Sequence, residues 1–517
     1  MSAKVARIAR KDVDDDPLTR AIAPPENETP EQREARVAAE HAAKQHSDAI
    51  DEELYRQRQA EKKGPKPVKV LLLGQSESGK STTLKNFQLM SSPKAFRAER
   101  SLWRAVIQLN VLRSIRLILD TMTQALEAQS GGSQYIPNSR PGTPDDIPDR
   151  EYPKLTPELL KLRMRLSPIF SVEQALTQAL APSGSLEFEA TRLKPLRYSS
   201  RSNTPNSNKE PTINAALSWK GAIGRLLSGD KSQADEESEF VWDDPKNPGV
   251  VLNNCAADIK QLWNDPTVKA LLEVRKLRLE EMAGFFLDSL DRVTALEYTP
   301  SDGKLHPPFP HHRVLINADD ILRARLKTLG VSEHRFKIKA GNMASHEWRV
   351  FDVGGQRSLR GMISLNHPAW IPYFDDVDAI IFLAPISCFD QVLAEDPTVN
   401  RLEDSILLWK AVVSNPLLKK TNIILFLNKC DMLRAKVASG IQFSKYVVSY
   451  GERPNDFGST SNYLRKKFAG IHKQCSPVAR AYYCHFTSVT DTSSTSRILE
   501  NVQDMLLRQN LEKSSLV

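Results

Sequence analysis

Short runs that are apolar at nearly every position recur along this chain, at Val68–Leu73, Trp348–Phe351, Ala379–Ala384, Asn422–Leu427 and Tyr482–Thr487. Such runs predict strands buried on both faces, as in a parallel sheet covered by helices. Elsewhere the apolar residues follow helical spacing. Ser101–Ala128 carries Leu102, Val106, Leu109, Leu112, Ile115 and Leu119, and Val268–Val293 carries Leu271, Leu272, Leu277, Leu279, Phe285, Phe286 and Leu290. Both stretches are predicted helical. The first strand stands apart from the other four, so an α/β domain is interrupted by a helical one.

Polar stretches mark the rest. Pro30 to Lys63 is rich in Ala, Glu, Gln, Arg and Lys and has no internal proline. It predicts a long exposed helix, stopped by Gly64-Pro65 and Pro67. Its apolar positions (Val37, Ala38, Ile50, Leu54) are too sparse to bury a full face. Residues 1–30 are polar and expected to be disordered. Gln129–Pro153 and Pro182–Gly249 are low in complexity and read as flexible insertions. Thr143-Pro144 and Thr204-Pro205 read as plain linker, with phosphorylation the alternative.

At 517 residues the chain has ample length for two domains. Its net charge of +8 is spread along the sequence, which gives no nucleic-acid footprint and leaves an anionic membrane surface open. Cys255, Cys388, Cys430, Cys475 and Cys484 form no metal spacing, so reduced thiols inside a cell are expected. His306, His311 and His312 sit among prolines and read as loop residues. No apolar run reaches membrane-spanning length, and no signal peptide is expected. The start at Met1-Ser2 and the first cysteine at Cys255 predict neither N-myristoylation nor N-terminal palmitoylation.

Three strand ends carry candidate chemistry. Gly74-Gln75-Ser76-Glu77-Ser78-Gly79-Lys80-Ser81 follows the first strand and fits the phosphate-loop pattern. Backbone N–H groups can wrap an anion there, and the helix starting near Thr82 adds partial positive charge. Lys80 would reach the β- and γ-phosphates, and the Ser81 hydroxyl would ligate Mg²⁺. Asp352-Val353-Gly354-Gly355-Gln356 follows the second strand, where a carboxylate can hold Mg²⁺ through water and a glutamine can orient one. Taken alone, that sequence also makes ordinary turns. Asn428-Lys429-Cys430-Asp431 follows the fourth strand. Its aspartate can accept from guanine N1–H and the exocyclic amine, and the lysine stem can pack on the base. The three in this order point to a guanine nucleotide site.

These residues lie within longer matching runs at 71–82, 322–330, 352–358, 392–396 and 422–431, with Leu262-Trp263, Asp265 and Leu290-Asp291-Arg292 in the helical part. On them the chain resembles the heterotrimeric G-protein α subunits, of a divergent, fungal-like kind, from about residue 50 to 510. The resemblance implies a Ras-like parallel-sheet domain of the P-loop NTPase type interrupted by an inserted all-α domain. Expected boundaries are 1–66 for the N-terminal segment and helix, 67–91 and 311–517 for the Ras-like domain, and 92–310 for the insert.

It further implies GTP and GDP as ligands, Mg²⁺ as cofactor and GTP hydrolysis. Partners would be a βγ dimer in the GDP state, a G-protein-coupled receptor and an effector. The expected location is the cytoplasm, peripheral at the plasma membrane, through a lipidated βγ partner or Lys4, Arg7, Arg10 and Lys11. Arg325 and Gln356 would be catalytic, roles known for the family's own arginine and glutamine. Gly74, Glu77, Ser78, Gly79, Lys80, Ser81, Thr82, Leu322, Arg323, Asp352, Gly355, Asn428, Lys429, Asp431, Thr487, Ser488 and Val489 would bind the nucleotide. Ser81 and Thr328 would ligate the metal, with Asp352 acting through water. Glu77 would pair with Arg325 to shut the cleft, and Arg357 would help set the second switch.

The chain also departs from the family pattern. Ser76 replaces a usual glycine and predicts crowding near the γ-phosphate, and Gln75 replaces a small residue. Glu281-Met282 replaces Asp-Ser on the helical side and predicts a weaker hold on the nucleotide. Residues 359–370 enlarge the second switch, and the C-terminus lacks the usual Cys-Gly. A slow or non-hydrolysing nucleotide-binding adaptor is therefore the alternative reading. A small-GTPase-like factor fits poorly, because such proteins lack the helical insert.

Overall fold

The computed structural model describes residues 29–63, 67–93, 96, 100–130, 152–180, 212–214, 248–275, 277–296, 298–300, 315–316, 318–325, 327–329, 331–338, 346–354, 377–393, 396, 398–480, 482–488 and 490–513. Its residues divide into two compact units, 1–66 and 67–517. The first contains helix α1, Pro30–Lys63. Thr29 and Gln32 cap its start reciprocally, each side chain accepting from the other's backbone N–H, at 3.3 and 3.1 Å. Arg36–Glu40 and Arg56–Glu52 pair one turn apart, each worth only a few tenths of a kcal/mol. Val37, Ile50 and Leu54 are exposed, as their sparse spacing predicts.

The second unit is built on a six-stranded sheet. Its strands are β1 (Val68–Leu73), β2 (Val331–Ile338), β3 (His346–Val353), β4 (Ala379–Pro385), β5 (Asn422–Asn428) and β6 (Tyr482–Thr487), in spatial order β6-β5-β4-β1-β3-β2. All neighbours are parallel except β2, which runs antiparallel to β3. The sheet is therefore mixed, and β2 is an edge strand that the apolar runs did not predict. It alternates buried Ser332 and Phe336 with exposed Glu333, Arg335 and Lys337, so it has no continuous apolar run to read.

Alternate residues of the central strands feed two cores. Leu71, Leu73, Ile380, Phe382, Ile423 and Leu425 face helices α10 (Arg401–Ser414) and α12 (Phe457–Cys475). Trp409 seals this layer against Phe382 and Phe468 and donates its indole N–H to Phe468 O at 3.0 Å. Val68, Val70, Leu72, Ile381, Leu383 and Phe426 face α2 (Lys80–Ser91) and α13 (Thr492–Lys513). Helix α11 (Cys430–Ala438) follows β5.

A separate all-helical core surrounds α3, Arg100–Ser130. Onto it pack α4 (Pro157–Arg165), α5 (Pro168–Leu180), α6 (Pro248–Asn254), α7 (Ala256–Asn264) and α8 (Pro266–Val274). The expected helix over 268–293 is broken. After α8 the chain makes single turns at Leu279–Glu281, Leu287–Ser289 and Leu290–Val293, and Gly284 turns it at φ 83°. Leu279, Phe285, Phe286 and Leu290 still reach the core, so burial alone imitates the periodicity of a continuous helix. A short helix α9, Ala318–Arg323, then leads back to the sheet.

The stretch read as a flexible insertion, Pro182–Gly249, also contains a strand. Thr212–Asn214 pairs in parallel with Lys327–Leu329, where β-branched Thr212 and Ile213 favour extended backbone. The rest of residues 181–247 lies outside the described residues.

Candidate functional site

The site lies at the carboxyl ends of β1, β3, β5 and β6. Gly74 leaves β1 at φ 147°, and a Cβ there would fall 2.4 Å from Leu383 O and 2.6 Å from Ser78 Oγ. Only glycine fits the turn. Glu77 (φ 60°) and Gly79 (φ 103°) both adopt left-handed backbone, curling the loop into the start of α2. Lys80 is buried and donates to Gly74 O at 2.8 Å and Gln75 O at 2.7 Å. Its ammonium is thus folded back inside the loop's own curve. The buried Ser78 hydroxyl has no hydrogen-bond partner among the described residues. A cradle that a single Cβ would fill, with a buried cation and an unsatisfied hydroxyl, fits a nucleotide phosphate.

Ser81 Oγ donates to Asp352 Oδ2 at 2.9 Å, joining the start of α2 to β3. Asp352 is 1% exposed. Two hard oxygen donors at this spacing suit Mg²⁺ held jointly with phosphate oxygens. No cluster of three His, Cys, Asp or Glu side chains able to hold a metal occurs among the described residues. Thr328 lies in the three-residue strand Lys327–Leu329. Gly355, Gln356 and Arg357, like Val489, lie outside the described residues.

Glu77 forms the electrostatic centre. Its carboxylate pairs with Arg325 just beyond α9 and with Arg401 at 3.1 Å. Burial alone would raise this carboxyl, but Arg325, Arg401 and Lys429 outweigh it and hold the group at about 2. With the folded value depressed, the pairs stabilise the fold fully above the ordinary value of 4.5 and lose that effect as pH falls toward about 2.

Arg401 is a residue that the motifs did not reveal. It opens α10 behind the cap of Asn400, whose side chain accepts from Leu402 N at 2.8 Å. Arg401 donates to Glu77 Oε2 at 3.1 Å and to Ser76 O at 2.9 Å. Gln75, one of the departures, returns the contact by donating to Arg401 O. A large polar residue in place of a small one was the signal that could have pointed here.

The other side of the candidate site is built on β5 and β6. Asn428 donates to Ser78 O at 2.6 Å and accepts from Thr487 Oγ1 at 3.1 Å, tying both strand ends to the phosphate loop. Lys429, at φ 61°, turns the chain into α11. Asp431 falls in the first turn of that helix and is exposed. Ser488 O accepts from Asp491 N at 2.8 Å, which closes the loop after β6. Thr82 donates to Leu322 O at 3.3 Å, and Arg323 donates to Phe285 O at 3.3 Å.

An ionic cluster joins the turn at Leu279–Glu281 to the sheet side. Lys436 of α11 pairs with Asp390 at 2.5 Å and Glu281 at 2.6 Å. Arg278 pairs with Asp390 at 2.5 Å, and Gln391 donates to Glu281 at 2.6 Å. Lys436 and Asp390 are nearly fully buried. Glu281, expected to weaken the hold from the helical side, thus joins the two parts through Lys436.

The family model described as "G-protein alpha subunit" matches residues 44–506. Among curated proteins, the guanine nucleotide-binding protein alpha-4 subunit of Mycosarcoma maydis is 30% identical, with 99% of this chain and 97% of that protein covered. The alpha-1 subunit of the same organism is 28% identical over 91% of this chain and 96% of its own length. The alpha-3 subunit of Caenorhabditis elegans is 33% identical over 57% of this chain and 76% of its own.

Proposed function

Since the chain belongs to the G-protein α-subunit family, a family of guanine-nucleotide-binding signalling proteins, we propose that it is a Mg²⁺-dependent switch that hydrolyses GTP. One observation carries the reading. Arg325 pairs with Glu77 of the same phosphate loop whose Ser81 is bonded to Asp352, so a cation and two oxygen donors of the kind phosphoryl transfer uses are all tied to that loop. The helical block around α3 acts as a lid over the nucleotide.

In this reading Lys80 leaves the loop carbonyls for the β- and γ-phosphates, and Arg325 exchanges Glu77 for the γ-phosphate as charge develops there. Gln356 orients the attacking water. Mg²⁺, when bound, would offset charge on the phosphate oxygens, and Ser81, Thr328 and Asp352 would hold it. Asn428 and Thr487 fix the base loop, and Asp431 reads guanine. The reading extends to a βγ dimer as partner in the GDP state, an upstream receptor and a peripheral membrane location. Single-turnover GTP hydrolysis by the purified chain tests the reading. GTP binding without turnover would instead favour the adaptor, the reading motivated by Ser76 in the place of a glycine.

The cluster around Lys436 is the latch of this lid. Glu281→Gln removes one charge from it while Asp390 keeps both cations. Release of fluorescent GDP is expected to accelerate by roughly 3- to 30-fold, the range of one partly buried ion pair. An unchanged release rate would show that the cluster does not hold the cleft.

A further inference from the structure

Arg325 is held by its backbone as well as by its side chain. Its N–H donates to Asn110 Oδ1 at 2.7 Å, and its C=O accepts from Asn110 Nδ2 at 2.9 Å. The amide of Asn110 therefore pairs with this one residue as a neighbouring strand would. Asn110 lies on α3, in the helical core, and is 7% exposed. Gly284 packs against the pair. A Cβ added there would lie 2.7 Å from Asn110 Oδ1 and 3.0 Å from Arg325 Cβ.

The residues just before Arg325 are pinned as well. Lys85 of α2 donates to Ile321 O at 2.7 Å and Ala324 O at 2.8 Å, with its ammonium 4.1 Å from the Trp103 ring centroid. Arg325 thus stands between the phosphate loop and the helical core. Its guanidinium reaches the phosphate loop through Glu77, and its peptide groups are fastened to α3 through Asn110.

We propose that Asn110 is a positioning residue for Arg325, aiming the arginine at the phosphates only while the helical block is docked. With both peptide groups fixed, the guanidinium moves between Glu77 and a phosphate by side-chain rotation alone. Without Asn110 the Cα of Arg325 drifts, and small displacements of a catalytic group cost large factors in rate. This rests on the reading of Arg325 as acting on the γ-phosphate.

The test uses the full chain. Asn110→Ala is expected to lower the single-turnover rate by roughly tenfold or more, with affinity for a non-hydrolysable GTP analogue held within about threefold. Its fluorescence response to aluminium fluoride with GDP, which mimics the transferring phosphoryl group, is expected to fall in parallel. In an Arg325→Ala background, Asn110→Ala is expected to add no further loss of rate. A purely structural residue would instead lower the melting temperature and slow both backgrounds alike, which overturns the proposal. Should Asn110→Ala fail to fold, the isosteric Asn110→Asp decides. It keeps the acceptor for Arg325 N–H but sets a carboxylate against Arg325 C=O, so it is expected to be slow, and a wild-type rate would refute the proposal. A fast Asn110 variant beside a slow Arg325→Ala protein refutes the proposal alone. An Arg325→Ala protein as fast as wild type refutes the role of Arg325 itself and the proposal with it.

Discussion

Arg325→Ala is expected to slow single-turnover GTP hydrolysis by about 10³-fold or more, while analogue binding changes only severalfold. That range is the one known for the family's own arginine and is carried over to this chain. The physical case for a clean separation lies in Glu77. When Arg325 is removed, Glu77 keeps Arg401 at 3.1 Å and the nearby charge of Lys429. The carboxylate stays paired, so the phosphate loop keeps its curvature and its hold on the nucleotide. The lost guanidinium stabilises the γ-phosphoryl group mainly as charge moves, so the loss appears in the rate and not in affinity. Pre-steady-state measurement of phosphate release checks this. A variant that hydrolyses GTP at the wild-type rate would reassign the catalytic cation.

Asp431→Asn is expected to weaken GDP by roughly 10²- to 10⁴-fold, the loss of two charge-assisted hydrogen bonds. Guanine offers two donors, N1–H and the exocyclic amine, and a carboxylate offers only acceptors. An asparagine amide replaces one carboxylate oxygen with an NH2 group, whose N–H donors face the guanine amine and repel it. Xanthine carries an oxygen at that position, so xanthosine diphosphate is expected to gain affinity in the same variant. Competition against fluorescent GDP reads both changes. The effect should be confined to the base, because Asn428 holds the phosphate loop independently through Ser78 O. If GDP bound Asp431→Asn as tightly as wild type, another residue would read the base.

The turns after the first and fourth strands were legible because each depends on short-range backbone demands. Gly74 turns where a Cβ would strike Leu383 O, and Lys429 turns the chain directly after a strand. Such demands leave a mark within a few neighbouring residues. The edge strand Val331–Ile338 left none, because one face is solvated and its apolar residues are isolated. The 268–293 stretch misled, because residues on successive single turns bury into one core with the spacing of a helix.

By itself the sequence determined the turns after the first and fourth strands and membership of a family of guanine-nucleotide-binding proteins, with Arg325 in that family's chain order. Only the tertiary structure decided what holds that arginine and its partner. Arg401 meets Glu77 across 324 positions, and Asn110 meets Arg325 across 215. Nothing local marks these pairs, because an ion pair or an amide clamp imposes no backbone signature on either segment. They exist because the two ends of the sheet domain and the helical core bring distant side chains into one buried, weakly screened space, where each charge or peptide group must find a partner.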